Sequence, residues 1–242
     1  KKNTYTDTII AEFTDAEFKT KDGNVSNIKK RECLYDETTS GNFTSEGTIT
    51  NKECKIEGLV QNKNYYVKVC MTSKNDSRAC STPEIVKTKE VKSPSININT
   101  NDSIKITYDD TNIIDENGNQ NGNHYFKSDI NATSNKNVST CNEEGETFSC
   151  SSDSTINITE DKWYKVDDKE VKLSYTNSGD ITIAAVTRDK SGNYKSTDKN
   201  YSLYKIIFSR GTADTIGGQT SDIKKLCLAD RNKSCTITSP II

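Results

Sequence analysis

Eight cysteines carry the plainest chemistry in this chain of 242 residues: Cys33, Cys54, Cys70, Cys80, Cys141, Cys150, Cys227 and Cys235. Thiols ligate metals, act as nucleophiles or oxidise to disulfides, and their spacing separates these uses. No paired C-x-x-C knuckles occur, and a single histidine, His124, is too few for a mixed zinc set, so no metal is expected. The gaps 70–80, 141–150 and 227–235 instead enclose the turn-formers "SKNDS", "NEEGE" and "ADRNKS", as the two strands of a hairpin would. Cys33 and Cys54 pair by elimination. Four local disulfides imply an oxidising compartment, extracellular or on a cell surface.

One pair carries a structural expectation. In "NYYVKVCMTS" period two sets Tyr65, Val67, Val69 and Met71 on one face, and Tyr66, Lys68 and Cys70 on the other. Cys70 is therefore expected outside the core, on a wet face, where it meets Cys80 across a hairpin without disturbing the packing.

Other chemistry is not spelled by the sequence. A nucleophilic triad needs a positioned histidine, but His124 lies in "ENGNQNGNHYF", a run of turn residues where the ring is expected in solvent. No G-x-S-x-G, phosphate-binding loop or dinucleotide fingerprint occurs, and no two carboxylates stand in a recognisable glycosidase frame. "DENGNQNGN" sets Asp115, Asn117, Asn119 and Asn121 at alternate positions, as calcium loops do, but it lacks their several carboxylates and closing Glu. It reads as an Asn-rich loop at a sandwich end. Nine of 25 asparagines stand in Asn-x-Ser/Thr, a modest excess that matters only in a host that glycosylates them. Trp163 and Tyr164 in "DKWYKV" fall on opposite faces of a strand, so one of them is expected in the core. The reading is no enzyme and no cofactor.

The elements that hold these residues follow from composition. Ile outnumbers Leu by 24 to 6, and Thr, Ser, Asn and Tyr are abundant, which favours pleated, half-buried surfaces over helices. The expected class is all-β. Leu, Ile, Val and Phe number 46 of 242, so the cores are thin and cross-links have something to add. A net charge of -2 offers no basic face for nucleic acid, and Lys29-Lys30-Arg31 reads as a solvated strand end. No apolar run approaches a membrane span. The chain opens at Lys1 without a leader-like segment, as if cut mid-strand from a longer precursor.

Three stretches resemble known families. "IEGLVQNKNYYVKV" resembles the fibronectin type III pattern through Gly58, Leu59, Tyr65, Val67 and Val69, and so implies a tyrosine anchoring a corner between opposite sheets. It departs from that family in lacking the turn proline and the early-strand tryptophan, and in carrying two disulfides. "ITIAAVTRDKSGNYKSTDKNYSLYKI" resembles the closing hairpin of bacterial Ig-like surface repeats, with Asp189, Gly192 and Asn193 in a tight turn. "YKIIFSRGTADTIGG…CLADRNKSCTITSPII" resembles the opening of an internalin-B-type repeat. The resemblances imply tandem Ig-like and fibronectin III-like sandwiches over residues 1–91 and 92–204, with a short incomplete β module over 205–242. They imply a non-catalytic structural or adhesive segment of a secreted or cell-surface bacterial protein, whose partner is a protein or glycan on another cell or matrix. Nucleic-acid binding and membrane insertion are not expected. The alternative, accessory carbohydrate-binding modules of an extracellular glycoside hydrolase, calls for an exposed aromatic platform around Trp163.

Overall fold

The computed structural model describes residues 2–100, 103–115, 117–145, 147–176 and 179–203, and the strand backbones at 205–210, 214–216, 219–221 and 224–229. Every regular element among them is a β-strand, as the β-branched and aromatic composition requires. Among the described residues no helix is long and apolar enough to cross a membrane. Two compact units divide the chain: Lys1–Lys92 with Asp110–Gly122 and Arg188–Tyr194, and Ser93–Asp109 with Asn123–Thr187 and Lys195–Ile242.

The first unit holds β1 (Lys2–Thr4), β2 (Ile9–Glu12), β3 (Phe18–Lys19), β4 (Val25–Ser26), β5 (Ile28–Asp36), β6 (Ser45–Thr50), β7 (Glu53–Ile56), β8 (Asn64–Ser73), β9 (Arg78–Cys80) and β10 (Glu84–Lys87). One layer runs β1-β2-β7; the other joins β5, β8 and β10, with β9 paired on β8. Strand β6 belongs to both: Ser45–Gly47 pair with β5 and Thr48–Thr50 with β7. Gly47 stands at that crossing. A Cβ there would lie 2.6 Å from the Lys55 carbonyl oxygen and 2.9 Å from Cys33 Sγ, so glycine lets the strand pass. Tyr65 and Val67 of β8 turn inward onto Ile9, Ile56, Leu59, Val86 and the Cys33 and Cys54 half-cystines. The Lys29–Arg31 cluster is a paired strand end: Lys29 meets Asp76 at 2.7 Å, Lys30 meets Glu32 at 2.8 Å, and Arg31 forks onto Asp15 at 2.7 and 3.0 Å.

The second unit is built on β11 (Ser95–Thr100), β12 (Ser103–Thr107), β13 (Gly122–Ser128), β14 (Ala132–Glu144), β15 (Thr147–Ile158), β16 (Trp163–Val166), β17 (Glu170–Ser174), β18 (Gly179–Asp189) and β19 (Tyr194–Leu203). Their order is β11-β12-β17-β14-β16-β13-β18-β19, with β15 paired on β14. Here the long β14 turns from layer to layer, pairing with β17 at Thr133–Ser134 and with β16 at Ser139–Cys141. Between the layers lies an apolar core that includes Ile104, Ile106, Phe126, Tyr164, Leu173, Ile181 and Ile183, each at most 1% exposed. Burying side chains of this size stabilises by roughly 1.5–3 kcal/mol apiece, which makes this the stronger of the two cores.

Beyond it, β20 (Lys205–Arg210) pairs with β23 (Lys224–Ala229), and β21 (Asp214–Ile216) with β22 (Gln219–Ser221). Cys227 falls in β23. Cys235 and the "TITSPII" run, on which the fourth disulfide and the internalin-B-type resemblance depend, lie outside the described residues.

Candidate functional site

Among the described residues three disulfides form: Cys33–Cys54, Cys70–Cys80 and Cys141–Cys150. The first ties β5 to β7, joining the two layers inside the core, with its half-cystines 1% and 0% exposed. The other two join residues directly opposite in a ladder, Cys70 to Cys80 and Cys141 to Cys150. Chain entropy alone makes each such cross-link worth roughly 2–4 kcal/mol.

Cys70 corrects the expectation of a wet face. It is fully buried, in a cluster with Leu34 and Phe43 against which Tyr66 packs. Period two gives the correct face of β8, but that face is itself covered. Phe43 adopts a left-handed backbone, φ 49°, its N–H donates to Asp36 Oδ2 at 3.4 Å, and Lys68 Nζ stands 3.8 Å over its ring. The loop after β5 thus returns over the outer side of the sheet, and nothing in the β8 alternation announces it.

The second unit repeats this device with larger rings. Tyr164 points into the core at 1% exposure, while Trp163 points to the outer face, where only one of the pair was expected to be buried; Trp163 too is covered, at 9%. It clusters with Tyr125, Cys141 and Val186, with Phe148 packed against them. The Phe148 ring stacks on Tyr125 at 4.1 Å and meets Trp163 edge-on at 5.1 Å. Trp163 Nε1 donates to Glu143 Oε2 at 2.8 Å.

Both units carry a tyrosine corner. The Val60 N–H donates to Tyr65 Oη at 2.9 Å, as the fibronectin resemblance implies, and the Thr159 N–H donates to Tyr164 Oη at 2.8 Å. Sequence reasoning missed the second corner because no Gly-Leu precedes it. A usable signal was present: Asn62 and Asp161, each three residues before its tyrosine, both take left-handed backbones, φ 55° and 59°.

His124 is also corrected. It lies in β13 rather than in a loop, is 0% exposed, and stacks on Tyr108 with centroids 4.3 Å apart. Its Nδ1 lies 3.0 Å from the Asp168 carbonyl oxygen, which only accepts, so Nδ1 carries the hydrogen. The ring is packed as core. The Asn-rich loop folds on its own carboxylate: Asp115 Oδ1 accepts the N–H groups of Asn117 and Asn119, each at 2.8 Å, and Oδ2 accepts Asn119 Nδ2 at 3.1 Å. The Asn119 side chain, the largest cause, holds this carboxyl below the usual aspartate range. Among the described residues no group of three or more His, Cys, Asp or Glu side chains is arranged to hold a metal ion.

The turn between β18 and β19 has the expected form. Asp189 Oδ1 accepts the N–H groups of Ser191 and Asn193 at 3.0 and 2.8 Å, and Gly192 supplies a φ of 95°. Burial raises the Asp189 carboxyl above its ordinary range. The first unit also has a cleft of about 690 Å³ beside β2 and β8, with Phe13, Val69 and Met71 among its apolar walls and the ion-paired Lys2 and Glu84 among its polar ones.

No protein-family model matches the chain, and no curated protein is significantly similar to it. Among solved structures, 48 chains match. One is the fibronectin(III)-like modules of Clostridium thermocellum CbhA, at 16% identity over 81% of this chain and 84% of that chain, with a TM-score of 0.23. The assignment as fibronectin III/Ig-like β-sandwiches rests on the ladders, layer-switching strands and tyrosine corners described above.

Proposed function

We propose that the chain is a non-catalytic structural and adhesive segment of a secreted or cell-surface bacterial protein. In this reading modules 1–91 and 92–204 form a stalk, and 205–242 is the start of an internalin-B-type repeat. The observation that carries the reading is that each sandwich carries a cross-strand cystine on its outer face, one half covered (Cys70, Cys141) and the other exposed (Cys80, Cys150). Such staples act only where thiols are oxidised, and they resist unzipping of the hairpins they close. His124, weighed for a nucleophilic triad, is engaged in packing, and Asp115, weighed for calcium, in local hydrogen bonds. A protein or glycan partner would meet the end loops, which rigid sheets present. The alternative, carbohydrate-binding modules attached to a glycoside hydrolase, ranks second because Trp163 is covered.

Beads coated with the purified segment test this, by their retention on surfaces bearing matrix proteins or glycans. Retention well above that of albumin-coated beads, without hydrolysis of the surface, is the expected result. No retention on any surface, together with turnover of a polysaccharide by pure protein, would overturn it.

A further inference from the structure

Trp163 and Tyr125 sit on the face of β16 and β13 turned away from the core, beneath the far end of the β14–β15 ribbon. That end consists of four rungs: Cys141 opposite Cys150, Asn142 opposite Ser149, Glu143 opposite Phe148, and Glu144 opposite Thr147. Pairing with β16 reaches only as far as Cys141 opposite Trp163, so the outer rungs of β14 continue past that strand. A register shift between Ser139 and Cys141 separates them from the rest of the ladder. Two strands on their own are marginal in water. The stacking of Phe148 and the Glu143 to Trp163 hydrogen bond hold this end against the sheet, and the cystine at its root holds β15, which carries Phe148, to β14.

The three cystines also differ in access. Cys33 and Cys54 are both sealed in the core, whereas Cys150 is exposed beside a nearly buried Cys141. Cys80 is exposed as well, but β8 remains paired with β5 along Arg31–Cys33, so opening Cys70–Cys80 leaves its strand in place. Thiol exchange requires the attacked sulfur to be reachable.

We propose that Cys141–Cys150 is a reducible clasp, and that its opening releases the ribbon end and uncovers the aromatic face of Tyr125 and Trp163. The reductant is an external dithiol. Its thiolate attacks the Cys150 sulfur, and Cys141 leaves as a thiolate that takes up a proton. The second thiol of the reagent then closes on the mixed disulfide, freeing Cys150. The cystine gains two electrons and two protons, and the dithiol becomes a cyclic disulfide.

Trp163 is the sole tryptophan, so its emission reports the clasp directly. The whole chain is titrated with dithiothreitol under native conditions, and alkylation with peptide mapping shows which cysteines have opened. Acrylamide quenching of Trp163 and far-ultraviolet circular dichroism are read on the same samples. Cys141 and Cys150 should become alkylated at reductant levels that leave Cys33–Cys54 intact, with quenching rising several-fold, a red-shifted emission and an unchanged β signal. The C70S/C80S pair should keep the closed signal before reductant is added, and C141S/C150S should show the open one without it. Unchanged quenching after full alkylation of Cys141 and Cys150 would overturn the proposal. So would their opening only alongside Cys33–Cys54 with loss of the β signal. If C141S/C150S does not fold, the wild-type titration still decides.

Discussion

Over nine positions the two sandwiches run in step, Leu59 to Val67 reading L-V-Q-N-K-N-Y-Y-V and Ile158 to Val166 reading I-T-E-D-K-W-Y-K-V. In both, the first residue is buried, the second donates its N–H to the tyrosine five residues on, and the fourth takes a left-handed backbone. The units part at the residue before the tyrosine. Asn64 is exposed, whereas Trp163 anchors an aromatic cluster on the outer face. They differ again in the core, which among the described residues has eight buried residues in the first unit, two of them half-cystines, against seventeen in the second. Among the described residues, the smaller core carries a cross-link between its layers, and the larger one shows none. The same corner can therefore be supported by covalent closure or by apolar volume.

The strongest way to break that comparison is to remove the cross-link. Replacing Cys33 and Cys54 together with alanine reopens a loop of sequence separation 21, and should destabilise the first unit by about 3 kcal/mol or more. Urea unfolding followed separately in the two units should show the first midpoint falling while the second holds. Next in size is Gly47→Ala. The added methyl meets the Lys55 carbonyl oxygen and should cost roughly 1–3 kcal/mol in the same assay.

The corners themselves should respond alike. Tyr65→Phe and Tyr164→Phe each strip the acceptor from a backbone N–H, and about 1–2 kcal/mol should be lost in whichever unit carries the change. A loss confined to one unit would end the equivalence of the two corners. The smallest effect concerns Asp15, whose carboxyl is held down to about 2 from an ordinary 3.8, chiefly by the Arg31 guanidinium. A depressed carboxyl stabilises above its unfolded value, and that contribution disappears as pH falls through about 2. The stability difference between the native chain and Asp15→Asn should therefore be smaller near pH 2 than at pH 6.

Much of the fold was legible because period two and turn chemistry are local. Period two marked the β8 face, and the family resemblances implied the first tyrosine corner and the turn at Asp189–Asn193. What remained hidden depends on chain segments distant in sequence. Phe43 covers Cys70 from a loop 27 residues away, and Phe148 covers Tyr125 from a hairpin tip, so neither cover leaves a trace in the alternation of the strand beneath. His124 was misplaced for a different reason. Its strand begins at Gly122, directly after a run of turn residues, and the Asn-rich composition masked the boundary.

The account stands most directly on the cystines, and the measurement that tests it is an intact mass of natively produced protein, with alkylation before and after reduction. It predicts that Cys33, Cys54, Cys70, Cys80, Cys141 and Cys150 resist alkylation until reduced, with a deficit of two hydrogens per bridge and peptides linked 33–54, 70–80 and 141–150. Free, alkylatable thiols at these positions in the native protein would contradict it, removing both the staples and the extracellular reading built on them.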